Sequence, residues 1–257
     1  FPYTTLFRSS ECTLFLNKNY EFPIQKPCNV LLIGSGARNT VKGGLGSGDV
    51  DSHFFTTCEE GLEKSGFVIT TKQWLSEYIK IKENNLKEHM DYISNMNDKY
   101  IGSRPFEMVS FPEVEYDLEF DQSDIIPDIA IYVLSRNSGE GLDRRPIKGD
   151  VFLTDREIKD ILSLNKNYQK FMLVLNVGGV VDLSPVKDVS NILLLSQLGV
   201  VTGDILSDII LGNNPKAKSF KNSLGIFWKG IELVLVAREQ EKLQEVFISY
   251  LIEKINK

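Results

Sequence analysis

Four short apolar runs constrain this chain more than any other feature: Cys28–Ile33, Ile129–Leu134, Phe171–Val177 and Ile192–Leu195. Each is followed by a polar or glycine-rich stretch. Runs of this length bounded by turn residues suit strands that are buried on both faces. Helical signals lie between them. Thr57-x-x-Glu60 is a capping-box pattern closed by Gly66, and Thr70-x-x-Gln73 offers a second. After it, Trp74, Leu75, Tyr78, Ile79, Leu86, Met90 and Ile93 mark one or two helices with a broken apolar face. Thr154-x-x-Glu157 opens a helix carrying Ile158, Ile161 and Leu162, and Ile205, Leu206, Ile209 and Ile210 form another that ends at Gly212. Phe67–Thr70 reads as one more short strand. Strands alternating with helices predict an α/β fold: a mostly parallel sheet flanked by helices on both faces, an α/β sandwich. Leaving the Val, Ile and Leu runs in water would cost about 25 cal/mol per Å², so both faces must be covered.

The chain has 257 residues, and at roughly 150 residues per domain that means one main domain with an appendage. With 42% apolar and 25% charged residues, neither a disordered chain nor a coiled coil is expected. The net charge is −6, so no basic surplus exists to neutralise phosphates and no nucleic-acid partner is expected. The apolar stretches are too short or too interrupted to span a bilayer, so no membrane partner is expected either. Three cysteines, Cys12, Cys28 and Cys58, lack C-x-x-C spacing, which favours a reducing, cytoplasmic location. His53 and His89 stand far apart with no second ligand nearby, and neither a metal nor another cofactor is expected. Phe1–Ser10 has no usable periodicity and no signal-peptide pattern, and is left unassigned. Gly102–Pro127 contains three prolines and many carboxylates and reads as an excursion. In the tail, Leu224–Ala237 has strand character and Leu243, Val246, Phe247, Tyr250 and Leu251 form a helical stripe.

The chemistry should lie in the loops. In an open parallel sheet, ligands bind beyond the carboxyl ends of the strands. The Gly34–Asp49, Ser135–Asp150, Gly178–Ser184 and Ser196–Gly203 loops should therefore share one rim. Gly34-Ser-Gly36 resembles a dinucleotide fingerprint, but position 39 is Asn and no helix opens directly after it. Gly43–Gly48 resembles a phosphate loop without its Gly-Lys-Ser/Thr ending. Both also suit plain glycine turns. Ser138-Gly-Glu-Gly141 is sharper, because a carboxylate between two glycines can approach a ligand with little steric cover. Composition alone still favours a solvated charged turn there. Arg144 is expected to pair with Asp143 or Asp150 rather than to meet substrate.

Taken in order, four motifs resemble the α/β-sandwich domain of glycoside hydrolase family 3, the β-glucosidase-type enzymes. They are Lys42-Gly-Gly-Leu-Gly-Ser-Gly-Asp-Val50, Ser135-Arg-Asn-Ser-Gly-Glu-Gly-Leu-Asp-Arg144, Leu175-Asn-Val-Gly-Gly-Val-Val-Asp182 and Leu211-Gly-Asn-Asn-Pro215. Leu14-Phe-Leu-Asn17 and Phe22-Pro-Ile24 look like that domain's opening segment. The likeness covers residues 11–215 and leaves 216–257 as a divergent C-terminal segment. The resemblance implies a β-linked glucoside or oligosaccharide substrate. It also implies a TIM-barrel partner domain, in the same or a neighbouring chain, that supplies an Asp nucleophile. The sandwich domain supplies the acid/base, which maps to Glu140, while Gly46, Ser47, Gly48 and Asp49 would wall the sugar site. A retaining glycosidase sets two carboxyls about 5–5.5 Å apart, one to attack the anomeric carbon and one to protonate the leaving oxygen.

The sequence also departs from the family. Ser123-Asp124 and Ser207-Asp208 are each followed by Ile, so no Ser-Asp-Trp/Tyr nucleophile motif is present, and no barrel sequence is evident. Lys216-Ala-Lys-Ser219 stands where the family reads Ser-Gly-Lys-Leu. The chain alone is therefore expected to be inactive, as a fragment of a larger enzyme. The alternative is a non-catalytic carbohydrate-binding or structural module that keeps only the fold.

Overall fold

The computed structural model describes residues 12–45, 51–96, 112–119, 125–138, 144–213 and 218–219, with backbone alone at positions 90, 92–96 and 218–219. The strands are β1 (Leu14–Asn17), β2 (Asn29–Ile33), β3 (Val68–Ile69), β4 (Ile129–Arg136), β5 (Phe171–Val177), β6 (Ile192–Leu194) and β7 (Lys218–Ser219). The helices are α1 (Cys58–Lys64), α2 (Lys72–Met96), α3 (Asp155–Asn167) and α4 (Thr202–Leu211). All the strands among the described residues join one sheet in the order β3-β2-β4-β5-β6-β1-β7. From β3 to β6 every neighbouring pair is parallel. β1 then runs antiparallel to β6, and β7 pairs parallel with β1. Because side chains alternate between faces along a strand, complete burial of β4 and β5 means both faces are covered. The mostly parallel α/β sandwich is therefore present, and the four apolar runs supply β2, β4, β5 and β6.

Two of the three sequence-predicted caps form in full. The hydroxyls of Thr57 and Thr154 accept from the Glu60 and Glu157 amides, and each carboxylate returns to its cap's backbone N–H. Gly212 ends α4 in the left-handed region (φ 69°). The third box does not form. Thr70 Oγ1 donates to the Val30 carbonyl (3.1 Å), and Gln73 Nε2 donates to Glu77 (2.9 Å). Thr71 Oγ1 accepts from Leu32 N–H (3.0 Å) and donates to the Leu32 carbonyl. The backbone of β2 captures both hydroxyls before the helix can use them. The helical pattern beyond is one helix of 25 residues.

Residues 112–119 lie within the expected excursion, yet they are strapped onto the core. Tyr116 is buried against Trp74 and Tyr78 of α2 in two edge-on contacts, with ring centres 5.7 and 5.3 Å apart. Its hydroxyl donates to Asp160 of α3 (2.9 Å) and lies 3.2 Å from the Tyr132 hydroxyl of β4. Proline and carboxylate counting missed this aromatic anchor. The rest of Gly102–Pro127 up to position 124, and both tail elements, lie outside the described residues.

Glu113 is also buried here. It accepts from Tyr78 Oη and from Lys82 Nζ (2.9 Å). Burial pushes its pKa up, but Lys82, Arg136 and the hydrogen bonds outweigh that and the net direction is down. A carboxyl held below its ordinary 4.5 adds stability that is present above that pH and lost as pH falls through the folded pKa. Urea melts of wild type and Glu113→Gln should differ most near neutral pH, and the gap should shrink below about pH 4.5. A gap that widens in acid would contradict this sign.

α1 and α4 touch through two glycines. A Cβ at Gly61 would lie 2.1 Å from the Gly203 carbonyl oxygen, and one at Gly203 would lie 1.9 Å from that of Thr57. Both obstacles are backbone, so neither can swing aside. Gly61→Ala should lose about 1–3 kcal/mol to overpacking, despite gaining up to about 1 kcal/mol of helix propensity. Gly199→Ala meets open space and carries only the strain of its positive φ of 65°, about 1–2 kcal/mol. Denaturant midpoints of the two variants check this, and a stabilised Gly61→Ala would show that the helices part freely.

Candidate active site

The carboxyl ends of β2, β4, β5 and β6 carry four loops, and side-chain and backbone bonds join them into one surface. Asn176, in β5, is the centre of this stitching and is fully buried. Its Oδ1 accepts from Val41 N–H (2.6 Å), and its Nδ2 donates to the carbonyls of Val41 (2.9 Å) and Ser196 (2.8 Å). The loops after β2 and β6 are thus fixed to the strand between them. Gly199 N–H also donates to the Lys42 carbonyl (2.9 Å). Leu45 N–H donates to the Ser138 carbonyl (2.9 Å), so the glycine-rich loop after β2 lies along the loop after β4. Two glycines allow close approaches between the β5 loop and its neighbours. A Cβ at Gly178 would stand 2.6 Å from Gln197 Oε1, and one at Gly179 would stand 2.9 Å from Ser138 Oγ.

A buried ionic scaffold supports the β4 loop. Arg136, the last residue of β4, makes a two-pronged pair with Glu157 (2.9 and 2.6 Å), with side chains only 4% and 0% exposed. Its remaining donors reach the carbonyls of Asp150 (3.0 Å) and Ser135 (2.8 Å). Burial disfavours the charged guanidinium, but Glu157 more than offsets that and its pKa is raised. Asp150 in turn grips Arg144: its carboxylate accepts from Nε, and its carbonyl accepts from Nη2 (2.8 Å). The same carboxylate accepts from Arg145 N–H (2.8 Å). The start and end of the Ser135–Asp150 loop are therefore clamped together. Ser138 Oγ and Arg144 Nη1 are buried at this rim with no partner among the described residues.

The rim around the sequence-predicted site is placed, but the predicted site residues themselves are not. Gly179 and Gln197 lie at the rim as expected, and Arg144 pairs with Asp150, one of its two expected partners. Glu140, Gly46, Ser47, Gly48 and Asp49 lie outside the described residues. Leu45 and Ser138, which precede them in the sequence, are the residues hydrogen-bonded to each other. Sequence reasoning missed Asn176, Arg136 and Asp150 as organisers. The available signal was a polar residue inside an apolar run, and an arginine ending another.

Among the described residues, no group of three or more His, Cys, Asp or Glu could hold a metal, and no helix is long and apolar enough to cross a membrane. An opening of about 790 Å³ between Tyr20–Asn29, Asp128 and Lys170 lies under the amino ends of β2 and β4, away from the rim.

A mostly parallel sheet with glycine loops gathered at its carboxyl edge defines an α/β sandwich, and similarity to known proteins narrows this further. The glycosyl hydrolase family 3 C-terminal domain matches residues 12–219. The chain belongs to that family. It is 32% identical over 232 residues to β-glucosidase A of Butyrivibrio fibrisolvens, covering 80% of this chain and 26% of that protein. It is 24% identical over 215 residues to a β-glucosidase of Ruminococcus albus, covering 79% of this chain and 21% of that one. The chain thus spans about a quarter of the length of these relatives. Among solved structures it resembles β-glucosidase 3B of Thermotoga neapolitana, whose complex with glucose has been determined. The TM-score is 0.58 at 27% identity, over 81% of this chain and 28% of that one. A β-glucosidase from Paenibacillus barengoltzii shares the fold at TM-score 0.60 and 19% identity, over 81% of this chain and 22% of that one.

Proposed function

We propose that this chain is the acid/base-bearing domain of a retaining β-glycosidase, complete only when joined to a family 3 TIM-barrel domain. The observation that carries this is the Leu45–Ser138 hydrogen bond. It joins the two glycine-rich loops whose next residues include Asp49 and Glu140, so one sugar site can draw on both. In this reading the domain spans residues 11–215, with 1–10 unassigned and 216–257 divergent, and it works in the cytoplasm on β-linked glucosides.

The barrel's Asp attacks the anomeric carbon while Glu140, protonated, gives its proton to the leaving oxygen. The carboxylate so formed then takes a proton from water as that water attacks the glycosyl-enzyme. Partial burial beneath sugar and loop would keep Glu140 protonated until it is needed. The glycines on either side let it approach without steric cover, and Gly46, Ser47, Gly48 and Asp49 wall the sugar.

In this reading the nucleophile belongs to the barrel, so the chain by itself forms no glycosyl-enzyme. The test compares the isolated chain with the same chain joined to a family 3 barrel domain, using an aryl β-glucoside. Turnover by the joined protein and none by the chain supports the proposal. Measurable hydrolysis by the isolated chain that survives Glu140→Gln would show that the residues are wrong. No turnover by a correctly folded joined protein would favour the non-catalytic module.

A further inference from the structure

A chain of buried contacts runs from α2 to the rim, and it passes through a carboxylate that the proposed reaction does not use. Glu113 stands on the 112–119 strap with its side chain 3% exposed. From α2, Tyr78 Oη and Lys82 Nζ hold its carboxylate. Its own backbone N–H donates to the Gly149 carbonyl (2.7 Å). The two backbones press together so closely that a Cβ at Gly149 would lie 2.0 Å from the Glu113 carbonyl oxygen, and Gly149 takes a positive φ of 81°. The next residue is Asp150, whose carboxylate and carbonyl grip Arg144 and whose carbonyl also accepts from Arg136. The strap is separately pinned at Glu115, which accepts from the Asp155 (2.7 Å) and Arg156 (3.0 Å) amides at the start of α3.

We infer that Glu113 is a positioning residue for the rim. Held by Tyr78 and Lys82, it fixes Gly149 and Asp150, and through them the Arg144 end of the loop that follows β4. The inference rests on the proposed function only for its catalytic consequence, because the mechanical coupling is a property of this chain alone. The physical case is that a buried carboxylate held by both Tyr78 and Lys82 has one low-energy placement. A glycine backbone in van der Waals contact transmits that placement without slack. A strap bound by apolar contacts alone could slide, whereas this one is registered by charge.

The test has two readouts. In the chain as it stands, amide hydrogen exchange is followed at Arg145, Gly149 and Asp150, with Leu173 of β5 as the internal reference. Glu113→Gln keeps the side chain's size and removes its charge. Tyr78→Phe is the milder second variant, because it keeps the ring stacked on Trp74 at 5.2 Å. Both should speed exchange at the three loop amides by about tenfold or more beyond any acceleration at Leu173, which reads the loss of global stability. Equal acceleration at every amide would mean that Glu113 merely stabilises the fold, and no acceleration at the loop would overturn the coupling. In the chain joined to a barrel domain, both variants should lower kcat by a larger factor than they change KM. Loop loosening with kcat unchanged would overturn the positioning role. A fully active Glu140→Gln would instead sink the acid/base reading, whatever Glu113 does.

Discussion

In the chain joined to a family 3 barrel domain, Glu140→Gln is expected to lower kcat/KM on alkyl β-glucosides by about 10²–10⁴-fold, the usual worth of a general acid. An alkoxide is a poor leaving group and cannot depart without a proton. Activated aryl glucosides release a stable phenolate, so their first step should be nearly untouched and the loss should appear in the second, where the proposed mechanism uses Glu140 as base. The amide is close in size to the carboxyl, so the sugar still fits. Kinetics across a series of leaving-group pKa values read this directly. A steep dependence should appear in the variant where wild type shows a shallow one. Equal losses for both classes would mark Glu140 as structural.

Arg136→Met should be the most damaging single change to the fold outside the apolar core. It leaves Glu157 fully buried with its charge unmatched, and breaking a buried pair by removing one partner costs about 3–5 kcal/mol. Glu157 also closes the capping box of α3, and Arg136 also ties the Asp150 and Ser135 carbonyls. Adding Glu157→Leu should recover part of the loss, because the stranded charge is then gone, but not all of it, because the cap and carbonyl bonds remain broken. A double-mutant cycle in urea should return a coupling of about 1–3 kcal/mol. A loss below about 1 kcal/mol for Arg136→Met would show that water reaches this site.

The parts of the fold that the sequence revealed are those with local causes. β2, β4, β5 and β6 were legible because each is an unbroken apolar run, and strands buried on both faces leave that trace. The Thr57–Glu60 and Thr154–Glu157 boxes were legible because both partners sit within one turn. Thr70–Gln73 has the same pattern and fails, because Val30 and Leu32 compete for the neighbouring hydroxyls from a strand far away in sequence. The antiparallel pairing of β1 with β6 was not foreseen, since direction is not written in a four-residue strand. Asn176 and the 112–119 strap escaped for the same reason: their anchoring partners lie from 16 to 135 residues away, and no periodicity encodes them.

The rim divides in the same way. Its glycine loops were visible as motifs, and their meeting at Leu45 and Ser138 follows from the parallel sheet once the strand order is known. Of the clamp that steadies them, only the Arg144–Asp150 pair was visible. Arg136, Asp150 and Glu157 look like ordinary charged residues until the fold buries them together.

The most direct measurement is azide rescue of Glu140→Ala in the chain joined to a family 3 barrel domain, with an activated aryl β-glucoside. Such a substrate forms the glycosyl-enzyme without acid help, and the intermediate then waits for a base that is absent. Azide needs no proton removed before it attacks, and the truncated side chain leaves room for it. If Glu140 is the acid/base, azide should raise the slow turnover and yield the β-glucosyl azide, with configuration retained through two inversions. If azide leaves the rate and the product unchanged, Glu140 is not the acid/base and the central claim is wrong.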